Sequence, residues 1–544
     1  MKTLRSITRF AIPALLCLSL AACGGGGGSS GTSTGTSPGS NTNGGNNTNG
    51  GGNNTNGGGS NTNGGGGNTN GGGGTVTGGS TTPSFTVSGL ATGFSGTLGL
   101  LDNGTDHLQL KQPGYFTFAN SVSSGSSYDV TVAVQPPLQF CSATSASGKA
   151  TGNVTNVLVG CSPGQFSIPY SFSSTGTGNV NTDGAGPVGG LAEGPDGTLY
   201  AATSRGGSAG NGAIIAYTPG AQGVSTILSF GGTGSAGATP DSGVVVTQAS
   251  PGSLNLYGVA YSGGTSTASG YCGTVYNLYT EVPYLYLLQS LHDFNDTSDG
   301  CHPDSRLLLQ SNQSFDGTAL SGGVAGGGTL YNIAQSGAFT VLIDFPFSAT
   351  TGGLAGPEFG LTEDDGIVYG VATQGGANGA GGIYTYSAHA SGATDATFAY
   401  LPSGSTPSGG LVDNSDGMFY GVSSTGGANG KGFVYRFSDA GNTSVPTLQP
   451  YYSFTGGADG GSPVGTPLPL SNGDLLIATQ SGGGLGGGTV DEIDPSNATL
   501  VQVLGNFSSG SLPAGSVTLL SDGLVFGVTQ SGGTNSTGSI FEID

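Results

Sequence analysis

The sequence predicts an all-β protein: a seven-bladed β-propeller preceded by a small β-sandwich and a disordered Gly/Asn-rich tether. Three observations lead there. A unit of about 54 residues recurs between Gly164 and Asp544, with its aromatic or apolar anchors at Tyr200, Tyr257, Leu320, Tyr369, Tyr420, Leu476 and Phe526. Each copy holds four short strand-like runs, the layout of one propeller blade. The two ends are complementary: the last copy stops at its third strand, 539–544, and an unattached fourth strand, 165–172, precedes the first copy. Pairing these two ends closes the ring and removes an exposed sheet edge.

Residues 1–22 have the make-up of an export signal. Lys2, Arg5 and Arg9 precede an apolar run from Phe10 to Leu20, shorter than the roughly 20 residues a membrane span requires. The run ends in Leu20-Ala21-Ala22-Cys23, which resembles the lipobox of bacterial lipoproteins. That resemblance implies cleavage before Cys23 and acylation of its thiol, and Gly24 beside it implies an outer-membrane destination. Residues 23–82 are almost wholly Gly, Asn, Thr and Ser, with NTNGGG recurring. Such a chain buries no core, and its reach is on the order of 40–45 Å. It reads as a stalk.

From 83 to 163 the runs FTVSGL, GTLGLLDNG, HLQLKQPGYFTF, YDVTVAVQPP and NVTNVLVGC alternate at period two between Gly, Pro and Asn turns. They predict a small β-sandwich, and the segment resembles the immunoglobulin-like modules that follow the tether in bacterial lipoproteins. Of six cysteines, Cys17 lies in the signal and Cys23 at the lipobox, leaving an even set. That suits an oxidising compartment. Cys141–Cys161 is expected to staple the sandwich, worth about 3 kcal/mol for a loop of this length, and Cys272–Cys301 to staple an insertion in the repeats.

The repeats carry an Asp-Gly turn at Asp196, Asp316, Asp365, Asp416 and Asp522. Asp-Gly suits a two-residue hairpin, which needs positive φ at both positions. A Gly-rich loop, a third strand such as 383–386, and a fourth strand ending in Phe follow, as at Phe230, Phe345 and Phe454. The copies at Tyr369–Tyr386 and Tyr420–Phe437, and the run Ser453–Gly460, resemble the Gloeo/Verruco tandem repeat. The resemblance implies a propeller on a variable membrane anchor and no particular reaction.

Net charge is −21, with charged residues only 7% of the chain. Nucleic acid is excluded as a partner. Gly206–Gly210 fits G-x-S-x-G formally, but in a hairpin loop rather than a strand-to-helix elbow. The repeats show no position where acidic, Tyr, His or Arg residues recur, so no catalytic set is expected. The segment from His292 to Asp304 gathers carboxylates and two histidines. No cofactor is expected from the motifs, and calcium on this segment's oxygens is the single candidate. Asp183, Asp299 and Asp459, in loops between blades, make the expected ligand or cation face. The protein is therefore read as a monomeric lipoprotein at the cell-surface or periplasmic face of the outer membrane. It is membrane-bound through its lipid and uses the propeller to bind a glycan, peptide or protein. The rivals are a secreted polysaccharide lyase or glycosidase, and a spacer without ligand.

Overall fold

The computed structural model describes residues 82–544, apart from 95, 135, 137, 233–236, 251–252, 266–270, 283–284, 347–352, 388–393, 439–445 and 522. The signal, Cys23 and the tether up to residue 81 lie outside the described residues, as does Asp522. The described chain is all-β; its helical content is one 3-10 turn, Thr177–Asn179. Among the described residues no helix is long and apolar enough to cross a membrane.

Between Ser84 and Pro163 two four-stranded sheets face each other. One orders Gly114–Thr117, Val87–Thr92, Val154–Pro163 and Gln139–Thr144; the other orders Asp106–Leu110, Leu98–Asp102, Ser127–Val134 and Ser147–Lys149. Period-two alternation decides which side chains enter the core: Val87, Gly89 and Ala91 are buried while their neighbours are not. They meet Leu98, Leu100, Phe116, Val130 and Val157 in one cluster. Cys141 and Cys161 sit directly opposite on antiparallel strands and are bonded.

From residue 166 onward the described strands form seven antiparallel sheets; six run in chain order from a first to a fourth strand, the third of them with the extra strand Leu308–Leu309 beside its second. Sheets one to six span 185–229, 245–293, 301–346, 354–400, 412–453 and 461–508. The seventh takes its first three strands from 512–543 and its fourth from Phe166–Ser171, which pairs antiparallel with Ser539–Ile543. Phe166 lies opposite Ile543, and Asp544 donates its N–H to the Gln165 carbonyl.

The repeat motif has a physical reason at each position. Glycine in the second strand is required because the third-strand aromatic lies over it. A Cβ at Gly370 would meet the Tyr384 ring at 2.2 Å, and one at Gly527 the Phe541 ring at 2.2 Å. The loop asparagine donates to the backbone carbonyl closing the fourth strand: Asn378 to Leu401 at 2.8 Å, Asn429 to Phe454 at 3.0 Å, Asn535 to Phe172 at 2.8 Å. The residue before that closing position accepts a loop N–H, as Ser229 does from Ser208, Asp344 from Ala325 and Asn506 from Gly484. The closing phenylalanines pack between sheets; Phe172, Phe230, Phe294, Phe454 and Phe507 are fully buried.

Among the described residues the Asp-Gly expectation holds in full only at Asp365, where φ is 46° at Asp365 and 78° at Gly366. At Asp196 and Asp416 only the glycine is positive, with Gly197 at 77° and Gly417 at 74°. Asp316 is not in a turn. It is buried inside the strand Phe315–Ser321, opposite Asn332. Asp316 therefore occupies the anchor position that Tyr257 and Tyr369 fill elsewhere, and the expected anchor Leu320 is four residues out of register. The Asp316 carboxyl is pushed up to about 6 by burial, against hydrogen bonds from Asn332 and Gln310.

Candidate functional site

In every sheet the first strand, or the segment leading into it, carries a proline at one shared repeat position: Pro187, Pro240, Pro303, Pro357, Pro407, Pro463 and Pro513. Six stand opposite equivalent second-strand residues, Thr203, Ala319, Ala372, Ser423, Thr479 and Thr529. Proline lacks an N–H and suits the free edge of a sheet. It also packs on the glycine before the third strand of the preceding sheet. A Cβ on Gly432 would lie 2.4 Å from Pro463 Cδ, and one on Gly212 would lie 2.8 Å from Pro240 Cδ. This interleaving fixes the direction of the next residue.

Those next residues are Val188, Asp241, Asp304, Glu358, Ser408, Val464 and Ala514. All seven line one cavity of about 810 Å³, within the size range of small-molecule sites. Three successive sheets thus place a carboxylate at the same repeat position, and the other four sheets place a small or apolar residue there. The expectation that no acidic position recurs is corrected. It failed because the copies were registered on their anchor strand, and the recurrence appears only when they are registered on proline.

The Asp241 charge raises the proton affinity of both Asp304 and Glu358, and Glu358 adds to that of Asp304. Asp304 is pushed up to about 8, first by burial and then by the charges of Asp241 and Glu358. Burial raises Asp241. It also raises Glu358, with the Thr373 hydroxyl opposing and Asp241 adding. Like charges gathered where water is scarce disfavour ionisation. Tyr261 is raised by burial and by the same three acids, and its ring stacks on His302 at 4.4 Å. Burial lowers the His302 imidazole, with Asp296 opposing.

Arg306 lines the same cavity. Its counterparts, three residues after each proline, are Gly190, Gly243, Gly360, Gly410, Thr466 and Ser516. The guanidinium therefore projects where the other sheets place little or nothing. Its side chain is exposed, and desolvation by the surrounding protein lowers its pKa. Among the described residues it makes no ion pair, the one ion pair there being His292–Asp299.

The sequence-predicted face is built differently. Asp183 accepts from the Ser173 N–H at 2.8 Å, the Tyr170 hydroxyl at 2.6 Å and the Ser173 hydroxyl. Asp459 repeats this with the Thr455 N–H at 2.9 Å, the Tyr452 hydroxyl at 3.0 Å and the Thr455 hydroxyl. Asp299 accepts from the Asn295 N–H at 2.6 Å and pairs with His292 Nε2 at 2.9 Å. Each carboxylate fastens the turn between two sheets, and its lone pairs face inward. In the 292–304 segment, His292 stacks on Phe339 at 3.7 Å and Cys301 is bonded to Cys272. Cys272, Asp296 and Cys301 bring donor atoms within 4.8 Å of one another, but both sulfurs belong to the disulfide.

The architecture defines a repeat protein of four-stranded antiparallel sheets. The chain belongs to the Gloeobacter/Verrucomicrobia repeat family, which matches it over residues 139–384 and 357–544. No curated protein matches the sequence. Among solved structures it is similar to a puromycin-hydrolysing peptidase of Mycobacterium tuberculosis, at 11% identity and a TM-score of 0.40, over 66% of this chain and 50% of that one. The chain thus spans half the length of that peptidase. It is also similar to TolB of Acinetobacter baumannii, at 12% identity and a TM-score of 0.31, over 59% and 63% of the two chains. A third is the Trypanosoma rangeli sialidase, at 10% identity and a TM-score of 0.35, over 70% and 59%.

Proposed function

We propose that the seven sheets form a seven-bladed β-propeller whose central channel is the ligand site of a non-enzymatic binding module. On this reading the protein is exported, acylated at Cys23 and held at the outer membrane, with an immunoglobulin-like module between tether and propeller. The observation that carries the reading is the ring of residues after proline: one residue from every sheet reaches a single cavity, and charge is concentrated in three adjacent sheets. A thermal-shift screen of the full chain and of Val464→Trp tests it, since Val464 lines the cavity and tryptophan would fill it. Ligands that bind the channel raise the melting temperature of the first and not of the second. Hits that shift both equally would place the ligand elsewhere.

One rival is favoured by a specific observation. Asp304, holding its proton near pH 8 beside Asp241 and Glu358, has the make-up of a general acid beside a general base, as polysaccharide hydrolysis requires. New reducing ends released from a glycan panel, and lost in both Asp304→Asn and Glu358→Gln, would favour that enzyme over the binding module.

A further inference from the structure

Resting on the channel reading, we infer that the ligand is an elongated dipolar organic molecule, its cationic nitrogen at Asp241, Asp304 and Glu358 and its anionic group at Arg306. Three features of the cavity lead there.

The acidic station is a site for a cation but not for a metal ion. The Asp241 charge acts on Asp304 and Glu358, and that of Glu358 on Asp304, yet the oxygens of the three do not converge within 4.8 Å, as only the Cys272, Asp296 and Cys301 donors do among the described residues. A divalent ion needs its oxygens in one tight shell. An ammonium or guanidinium group presents several N–H donors in different directions and can address carboxylates spread around part of a ring. Asp241 and Asp304 make no hydrogen bonds to other described side chains or backbone, so their oxygens are free to accept such donors.

The basic station is separate. Arg306 lines the same cavity and forms no ion pair with any of the three acids among the described residues. An exposed guanidinium on the cavity wall, without an ion-pair partner among the described residues, is a receptor for a planar oxyanion, which it can grip with two parallel N–H bonds. Two opposite charges held apart in one cavity exclude a compact ligand of either sign alone. They also disfavour a neutral sugar, which would leave both stations unpaired. The remaining wall, with Val188, Val464, Ala514 and Phe359, suits the uncharged middle of such a molecule.

The test uses the full chain, isothermal titration at neutral pH, and four probes: triglycine, N-acetyl-triglycine, triglycine amide and calcium chloride. Triglycine is expected to bind one per chain, and capping either end is expected to weaken it by on the order of tenfold or more. In Asp304→Asn the preference for the free amine shrinks, and in Arg306→Met the preference for the free carboxylate shrinks, each leaving the other intact. Equal binding of the capped and uncapped peptides overturns the inference, as does binding of calcium alone or of no peptide at all. In those cases the channel reading is judged separately. It survives if any screened ligand loses its thermal shift in Val464→Trp, and it falls if none does.

Discussion

Tyr276, Tyr331, Tyr384 and Tyr435 occupy the same third-strand position, fully or almost fully buried, and none of their hydroxyls has a hydrogen-bond partner in the protein. Sheet seven has Phe541 at this position and sheet six has Asp491. A buried hydroxyl without a partner carries its desolvation cost unrepaid. Tyr435→Phe is therefore expected to leave urea stability unchanged or raise it by up to about 1 kcal/mol, whereas loss of stability would mean that an ordered water completes the site. Asp459 is the opposite case, its carboxylate filled by three donors from its own turn. Asp459→Ala is expected to cost roughly 2–3 kcal/mol while leaving ligand titration in the channel unaltered. A variant that folds as firmly but binds less would return this residue to the ligand-binding face.

At the scale of elements, the closing strand can be tested through its aromatic residue. Phe172, contributed from the start of the repeat region, is fully buried among Leu191, Tyr217, Phe526 and Ile540. Phe172→Ala is expected to destabilise by about 3–5 kcal/mol, with fluorescence and circular dichroism still reporting one transition; two resolved transitions would show that the sheets unfold independently. Strands, loops and the closing strand were legible in the sequence because period-two alternation, glycine spacing and the aromatic at the strand end are local signals. The third copy was misread because Asp316-Gly317 looks like a turn and is a strand, a buried acid satisfied by Gln310 and Asn332 that no local rule announces. The cavity was hidden for a related reason. A Gly-Leu pair marks the first strand in several copies, and Arg306-Leu307 breaks that pattern at the position where the side chain matters most. The bonds that occupy Asp183, Asp299 and Asp459 depend on residues four to thirteen positions away across a turn. Composition alone made those acids look available.

For the whole molecule, the acidic ring makes stability depend on pH. Asp304 in the folded protein holds its proton up to about pH 8, against an ordinary value of 3.8. The folded state thus binds the proton more tightly than the unfolded chain does. Its contribution is most favourable below the ordinary value and is lost as pH rises through the folded one. The melting temperature is expected to fall between about pH 5 and pH 8, and to fall less in Asp304→Asn. A flat wild-type profile would mean that the carboxylates are already neutralised by a neighbouring cation. Saturating dipolar ligand should flatten the curve in the same way, because an ammonium group supplies the positive charge that the proton otherwise supplies.

The strand that completes the seventh sheet lies at the other end of the repeat array from its partner; Gln165 and the Asp544 that contacts it are 379 residues apart. A chain made from its N-terminus carries residues 166–171 before their partner strand 539–543 exists and must keep them unmatched until it arrives. A truncated copy would leave two raw sheet edges at once, one at each end of the array, and would be conspicuous to any protease that samples open strands. The clasp therefore forms only in a chain that reaches 539–543, because a product cut short of that strand lacks the edge to which 166–171 pairs.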